Sequence, residues 1–237
     1  MRNYQEIIKR IETELDEKAD PERLEWAKKN YATSMILKGV TVPNIRPIVK
    51  ELNKEFKKAS AQEVVEFAKQ LTSTRILEAQ QIAYEVLDKH KAACRSLTLE
   101  DLLELGEGID NWISVDYFAG YLAGPAWREG QISNEVIEKW AVSEDKWWRR
   151  AAVVCTVALN QKARGGDGDP DRTLIICSLV TEDQEDMVAK SLSWALRELA
   201  KREVEPVEEF VNQNENVLPK RVIREVRRKI ETGRKYD

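Results

Sequence analysis

Apolar residues recur every three or four positions along almost the whole chain, and no apolar–polar alternation runs long enough to make a strand. That period admits an all-α protein, read here as about thirteen helices joined by short turns. Starts are marked by proline at Asp20-Pro21, Val42-Pro43 and Asp169-Pro170, where the missing N–H costs a helix nothing. Capping-box spacings occur at Ser60–Glu63 and Thr181–Gln184. With 42% hydrophobic and 34% charged residues, such helices can bury a real core, and an array of 237 residues is read as one domain, 1–237. The N-terminal segment interleaves charge with apolar residues and has no signal-type apolar run, and 174-LIICSLV-180 is too short to cross a bilayer. The expected setting is the cytoplasm, with no membrane.

Three segments resemble one another: 79-AQQIAYEVLDKH-90, 147-WWRRAAVVCTVAL-159 and 187-MVAKSLSWALRELAK-201. Arg150 and Lys190 precede runs of small and apolar residues at an interval of 40 residues. That period fits HEAT-like helix-pair repeats, which stack into an α-solenoid superhelix with equivalent helices along a concave groove.

Several chemistries are disfavoured. Cys94, Cys155 and Cys177 are odd in number, far apart and without CxxC pairing, so neither a disulfide framework nor a metal site is expected, and each reads as a buried reduced thiol. His90 is the one histidine and lies at a helix end, where capping is the better reading than catalysis. The segment 162-KARGGDGDPD-171 lacks the phosphate-loop pattern and reads as a flexible helix–helix linker.

A net charge of −4 and a pI near 5.4 argue against a generically basic protein, but the charge is uneven. From Pro219 to Asp237 eight Lys and Arg face three acids, a net of +5. Arg149, Arg150, Lys190 and Arg197 add cations to the repeated helices, and Lys220, Arg221 and Arg224 open the basic tail. A groove lined by these could hold a phosphate backbone. On charge alone, solvated helix faces explain them better.

The seven tryptophans shift that balance. Trp26, Trp127 and Trp140 read as core filling. Trp112 and Trp194, in polar company, read as partly exposed indoles facing a ligand. In 110-DNWISVDYF-118, Trp112 stands four residues before Asp116, which on a helix puts indole and carboxylate on one face.

With these residues in view, the chain resembles the bacterial DNA alkylation repair family of HEAT-like-repeat DNA glycosylases, the AlkD type. The likeness runs from 38-KGVTVPNIRPIVKEL-52, similar to a Gly-Val-x-x-Pro-x-x-Arg segment ending here at Arg46, through WISVD, WWRRAA and 190-KSLSWALRELAK-201 to 218-LPKRVIREV-226. It departs at Ile113, apolar beside the first Trp, and at the glycine-rich segment, which looks like an insertion. The N-terminal helices match loosely, and the family's third aromatic contact finds no assigned residue.

The resemblance implies hydrolysis of the N-glycosidic bond of cationic N3- or N7-alkylated purines such as 3-methyladenine and 7-methylguanine in duplex DNA. It implies no cofactor, no metal and no base flipping. It places the catalytic positions on Trp112, Asp116, Arg150 and Trp194. DNA contacts are implied at Arg46, Arg149, Lys190, Arg197, Lys220, Arg221 and Arg224. A monomer is expected. Two other readings stand beside it: a non-catalytic relative that binds bent or branched DNA, and a protein-binding HEAT scaffold.

Overall fold

The computed structural model describes residues 3–234. Among these the chain is helical, and the nearest approach to β structure is one parallel bridge between Ile36 and Ile76. The chain divides into two compact units, Met1–Phe118 and Ala119–Asp237.

The first unit holds α1 (Tyr4–Glu17), α2 (Pro21–Asn30), α3 (Val42–Glu55), α4 (Ala61–Thr72), α5 (Leu77–Lys89), α6 (Lys91–Ser96), α7 (Leu99–Leu105) and α8 (Trp112–Tyr117). Helix α5 is its axle, touched by α1, α3, α4, α6 and α8, and it is buried over most of its circumference. Its buried residues include Glu78, Gln80 and Gln81 as well as the apolar ones, so the wrapping brings polar groups into the interior too. The rings of Phe56 and Phe67 pack in the core with centroids 4.6 Å apart and planes tilted by 30°, and each such side chain contributes about 1.5–3 kcal/mol by leaving water.

The second unit holds α9 (Gly124–Arg128), α10 (Asn134–Ala141), α11 (Lys146–Asn160), α12 (Pro170–Ser178), α13 (Asp186–Leu199), α14 (Val204–Gln213) and α15 (Lys220–Thr232). Helix α11 packs on α13 and α13 on α15, with α12 and α14 completing the pairs. Alternate helices in contact are the arrangement from which α-solenoids are built. The three similar segments fall on α5, α11 and α13, the most buried helices of their units.

Most start signals act as read. Asp20 and Asp169 cap helices that begin at Pro21 and Pro170, and Ser60 forms a complete capping box with Glu63. Thr181–Gln184 does not. The Thr181 hydroxyl donates back to the Ser178 carbonyl, Asp183 is taken by Arg149, and α13 starts only at Asp186. The glycine-rich segment is also not a loose linker. Arg202 donates to the carbonyls of Asn160, Gly166 and Asp167 at 3.0–3.2 Å, and Gly166 lies where a Cβ would be 2.5 Å from the Leu159 backbone. His90 closes α5 and its ring nitrogen accepts from the Ala93 N–H, so it caps α6 as well. Cys155 and Cys177 are sealed in the core, and burial pushes both thiols far up; Cys94 is only partly buried. Among the described residues, no helix is long and apolar enough to cross a membrane.

Candidate functional site

The stretch that carries Trp112 and Asp116 is held by the two residues before it. Asp110 accepts from the Ser34 N–H and hydroxyl, both at 2.6 Å, and from the Thr33 hydroxyl. Burial pushes its carboxyl up, but the hydrogen bonds from Ser34, Thr33 and Asn111 outweigh burial and hold it below the ordinary Asp range. Asn111 is buried and caps α8 through the Ser114 N–H at 3.0 Å, while its amide donates to Thr33 at 3.2 Å and Ser114 at 2.8 Å. The polar loop after α2 is thus sewn to the start of α8. Trp112 occupies the first helical position, and Asp116, half-buried, follows one turn later.

Trp112 is 38% exposed, as an indole facing a ligand needs to be. The ring of Tyr31 meets it edge to face, with centroids 5.9 Å apart and planes at 79°. Trp26 meets Tyr31 in turn at 5.4 Å and 89°. Tyr31 is an aromatic neighbour of Trp112 that the sequence did not mark. It lies just beyond the end of α2, outside any helical pattern that could have pointed to it. Trp26, expected in the core, is 45% exposed instead, while Trp127 and Trp140 are buried as expected. Beneath Trp112, the side chains of Ala27, Tyr31, Met35, Leu77 and Ile113 form a small apolar cluster of their own. A cavity of about 200 Å³ opens beside it, bordered by Arg23, Tyr31, Trp112, Tyr117, Glu78 and Gln81.

The KGV segment quoted above has a local cause. Buried Glu78 accepts from the consecutive N–H groups of Lys38, Gly39 and Val40, at 3.1, 2.8 and 3.2 Å. Gly39 sits at φ +75°, and a Cβ there would lie 2.7 Å from the Leu24 Cβ, so only glycine brings three donors onto one carboxylate. Arg46, one turn into α3, is exposed.

In the second unit the cations divide by environment. Arg150 is buried and donates to the Met187 carbonyl in the first turn of α13. Its neighbour Arg149 pairs with Asp183 at 2.6 Å and donates to the carbonyls of Ser143 and Glu144 at 2.9 Å. Arg149 therefore pins the α10–α11 turn to the approach to α13, and Arg150 pins α11 to the first turn of α13. Lys190, Trp194 and Arg197 follow one another along one face of α13, and Trp194 is half-buried as expected. Lys190 reaches Asp186 at 2.6 Å, and Arg221 of α15 reaches the same carboxylate. The hydrogen bond from Lys190 holds Asp186 below the ordinary carboxylate range, with burial opposing and Arg221 assisting. Buried Glu225 takes a hydrogen bond from Ser193 at 2.6 Å and lies 3.8 Å from Arg197 and 3.7 Å from Arg221. Lys220 and Arg224 are exposed one turn apart on α15. Trp112, Asp116 and Arg46 thus lie in the first unit, and the other candidates in the second.

Directly after α8 the chain widens into a π-helical turn, Phe118–Ala123, a feature often found at functional sites. Among the described residues, no three His, Cys, Asp or Glu side chains converge as metal ligands would.

The family model for the DNA alkylation repair enzyme matches residues 11–230. A solved structure described as a predicted DNA alkylation repair enzyme from Enterococcus faecalis superposes with a TM-score of 0.72 at 19% identity, covering 91% of this chain and 98% of that one. At that identity the likeness bears on the fold. No curated protein matches the sequence significantly.

Proposed function

The chain belongs to the DNA alkylation repair enzyme family, and from that premise we propose that it is a DNA N-glycosylase acting on N3- and N7-alkylated purines. Alkylation gives the base a positive charge, so it departs neutral and needs little acid catalysis. The demanding species is the deoxyribose, which becomes oxocarbenium-like as the bond to the base lengthens. The pairing of a half-exposed Trp112 with Asp116 one turn along the same short helix supports this reading most directly. A fixed carboxylate stabilises the developing positive charge and orients the attacking water. The indole contributes through its negative ring face, more strongly once water is excluded. Trp194, half-buried on α13, offers DNA a further aromatic face.

Phosphate contacts come, in this proposal, from Arg46, Lys220 and Arg224, whose exposure leaves them accessible to DNA, and from Lys190, Arg197 and Arg221 after exchange with their carboxylate partners. Arg150 and Arg149 serve the DNA-facing helices of the second unit by fixing α11 and the start of α13. The damaged base stays in its stack, and the exposed surface position of Trp112 accords with that. The reaction so written needs no metal, because the leaving group carries its charge already.

The deciding measurement is single-turnover release of 7-methylguanine and 3-methyladenine from methylated duplex DNA. Release that survives EDTA is expected. Binding without release identifies a non-catalytic DNA-binding protein, and neither binding nor release returns the chain to the scaffold reading.

A further inference from the structure

Helix α2 carries a feature that the proposed chemistry has not used. Arg23 and Trp26 stand three residues apart on it, and Tyr31 follows its last residue. The Arg23 guanidinium donates to the Tyr31 hydroxyl at 2.7 Å and lies over the Trp26 ring at 4.1 Å from its centroid. Its backbone N–H is also fixed, donating to Asp20 at 3.0 Å. Tyr31 in turn meets Trp112 edge to face and is itself 7% exposed. The chain of contact therefore runs from a helix cap, through an arginine and a phenol, to the indole beside Asp116.

We propose that Arg23 is a positioning residue: by bonding the Tyr31 hydroxyl it fixes the ring against Trp112, and so sets the orientation of the indole toward a cationic deoxyribose. Guanidinium has no lone pair to offer, so the phenol oxygen must accept, and the ring is anchored by a charge-assisted bond at its far end. A bare cation at this distance would repel the positive sugar. The Trp26 face explains how it is accommodated, since the ring quadrupole offsets part of the guanidinium charge. Trp26 is accordingly an exposed residue with a structural task.

This inference rests on the glycosylase reading, and its test is chosen to separate the two. The probe is a duplex in which one deoxyribose is replaced by a cationic pyrrolidine, compared with the unmodified duplex, and base release is measured alongside. Arg23→Gln and Tyr31→Phe should each lower the preference for the pyrrolidine duplex by about tenfold, the scale of one charge-assisted hydrogen bond. The double variant should lose no more than either single one, because both remove the same bond. Arg23→Lys should restore part of the preference. An unchanged preference in Arg23→Gln, a gain from relief of repulsion, or additive losses would overturn the proposal. A purely structural role predicts lower melting temperatures with the preference per folded molecule intact. If the wild-type protein releases no base, the glycosylase reading falls, while the coupling measured on the pyrrolidine duplex still decides the role of Arg23.

Discussion

The surroundings of Trp112 in the first unit and of α13 and α15 in the second handle charge in opposite ways. In the first, the residues around Trp112 are organised by aromatic contacts and by carboxylates that accept from neutral donors: Asp110 from Ser34 and Thr33, and Glu78 from three backbone N–H groups. In the second, cations on and around α13 and α15 are matched to carboxylates, Arg149 to Asp183, Lys190 and Arg221 to Asp186, Arg197 to Glu225. A surface built to meet a positive sugar needs a fixed negative or π-rich partner. A surface built to meet phosphates needs cations, which without DNA repel one another unless acids stand between them. The difference teaches that formal charge along the sequence reports poorly on what is available to a ligand.

The largest expected effect breaks the first side of that contrast. Asp116→Asn keeps shape but removes the negative charge, and the rate of base release should fall by roughly 10²-fold, the lower end for one preorganised electrostatic group. Single-turnover release and melting temperature, measured on one preparation, decide it. A fall in melting temperature at an unchanged rate per folded molecule would make Asp116 a structural carboxylate.

The next effect concerns the loop that seats α8. The folded-state pKa of Asp110 lies below its unfolded value, so its contribution to stability is present above about pH 4 and is lost as pH falls through the folded value. Asp110→Asn should cost about 1 kcal/mol near neutrality and flatten the acid limb of the stability curve. Because the partners are neutral, added salt should change this cost little. Thermal melts from pH 2.5 to 7 at two ionic strengths supply the readout, and a cost that disappears in salt would erase the contrast between the units.

The smallest effect sharpens the second side. Asp186 is exposed and shared by Lys190 and Arg221, so Asp186→Asn should raise affinity for unmodified duplex DNA by roughly three- to tenfold at low salt. The plot of log affinity against log salt should steepen by about one counterion. Titration at 50 and 200 mM salt tests this, and an unchanged slope would mean that these cations do not meet phosphates.

Much of this organisation could be read from the chain. The three-to-four period made the fold helical, because only one stripe of each helix can leave water and the rest must stay polar. Asp20-Pro21, Ser60–Glu63 and Asp169-Pro170 set helix starts through bonds closed within four residues, so they need no tertiary help. The Trp112–Asp116 spacing likewise needs only a helix to put both on one face. What depends on residues far away was not legible. Trp26 has the apolar character of a core residue, but its exposure depends on what packs against α2. Tyr31 meets Trp112, 81 positions along the sequence. Arg149 and Arg150 are adjacent and chemically identical, yet one pairs with Asp183 and the other is buried against the Met187 carbonyl, because a helix turns successive side chains by about 100°. The glycine-rich segment reads as slack until Arg202 is seen to hold it. Local hydrogen bonds and periodic burial are written in neighbouring residues, and the sequence determined them by itself. Which charges are spent, which rings are exposed and which loops are held depend on partners brought close only by packing, and the tertiary structure alone decided those.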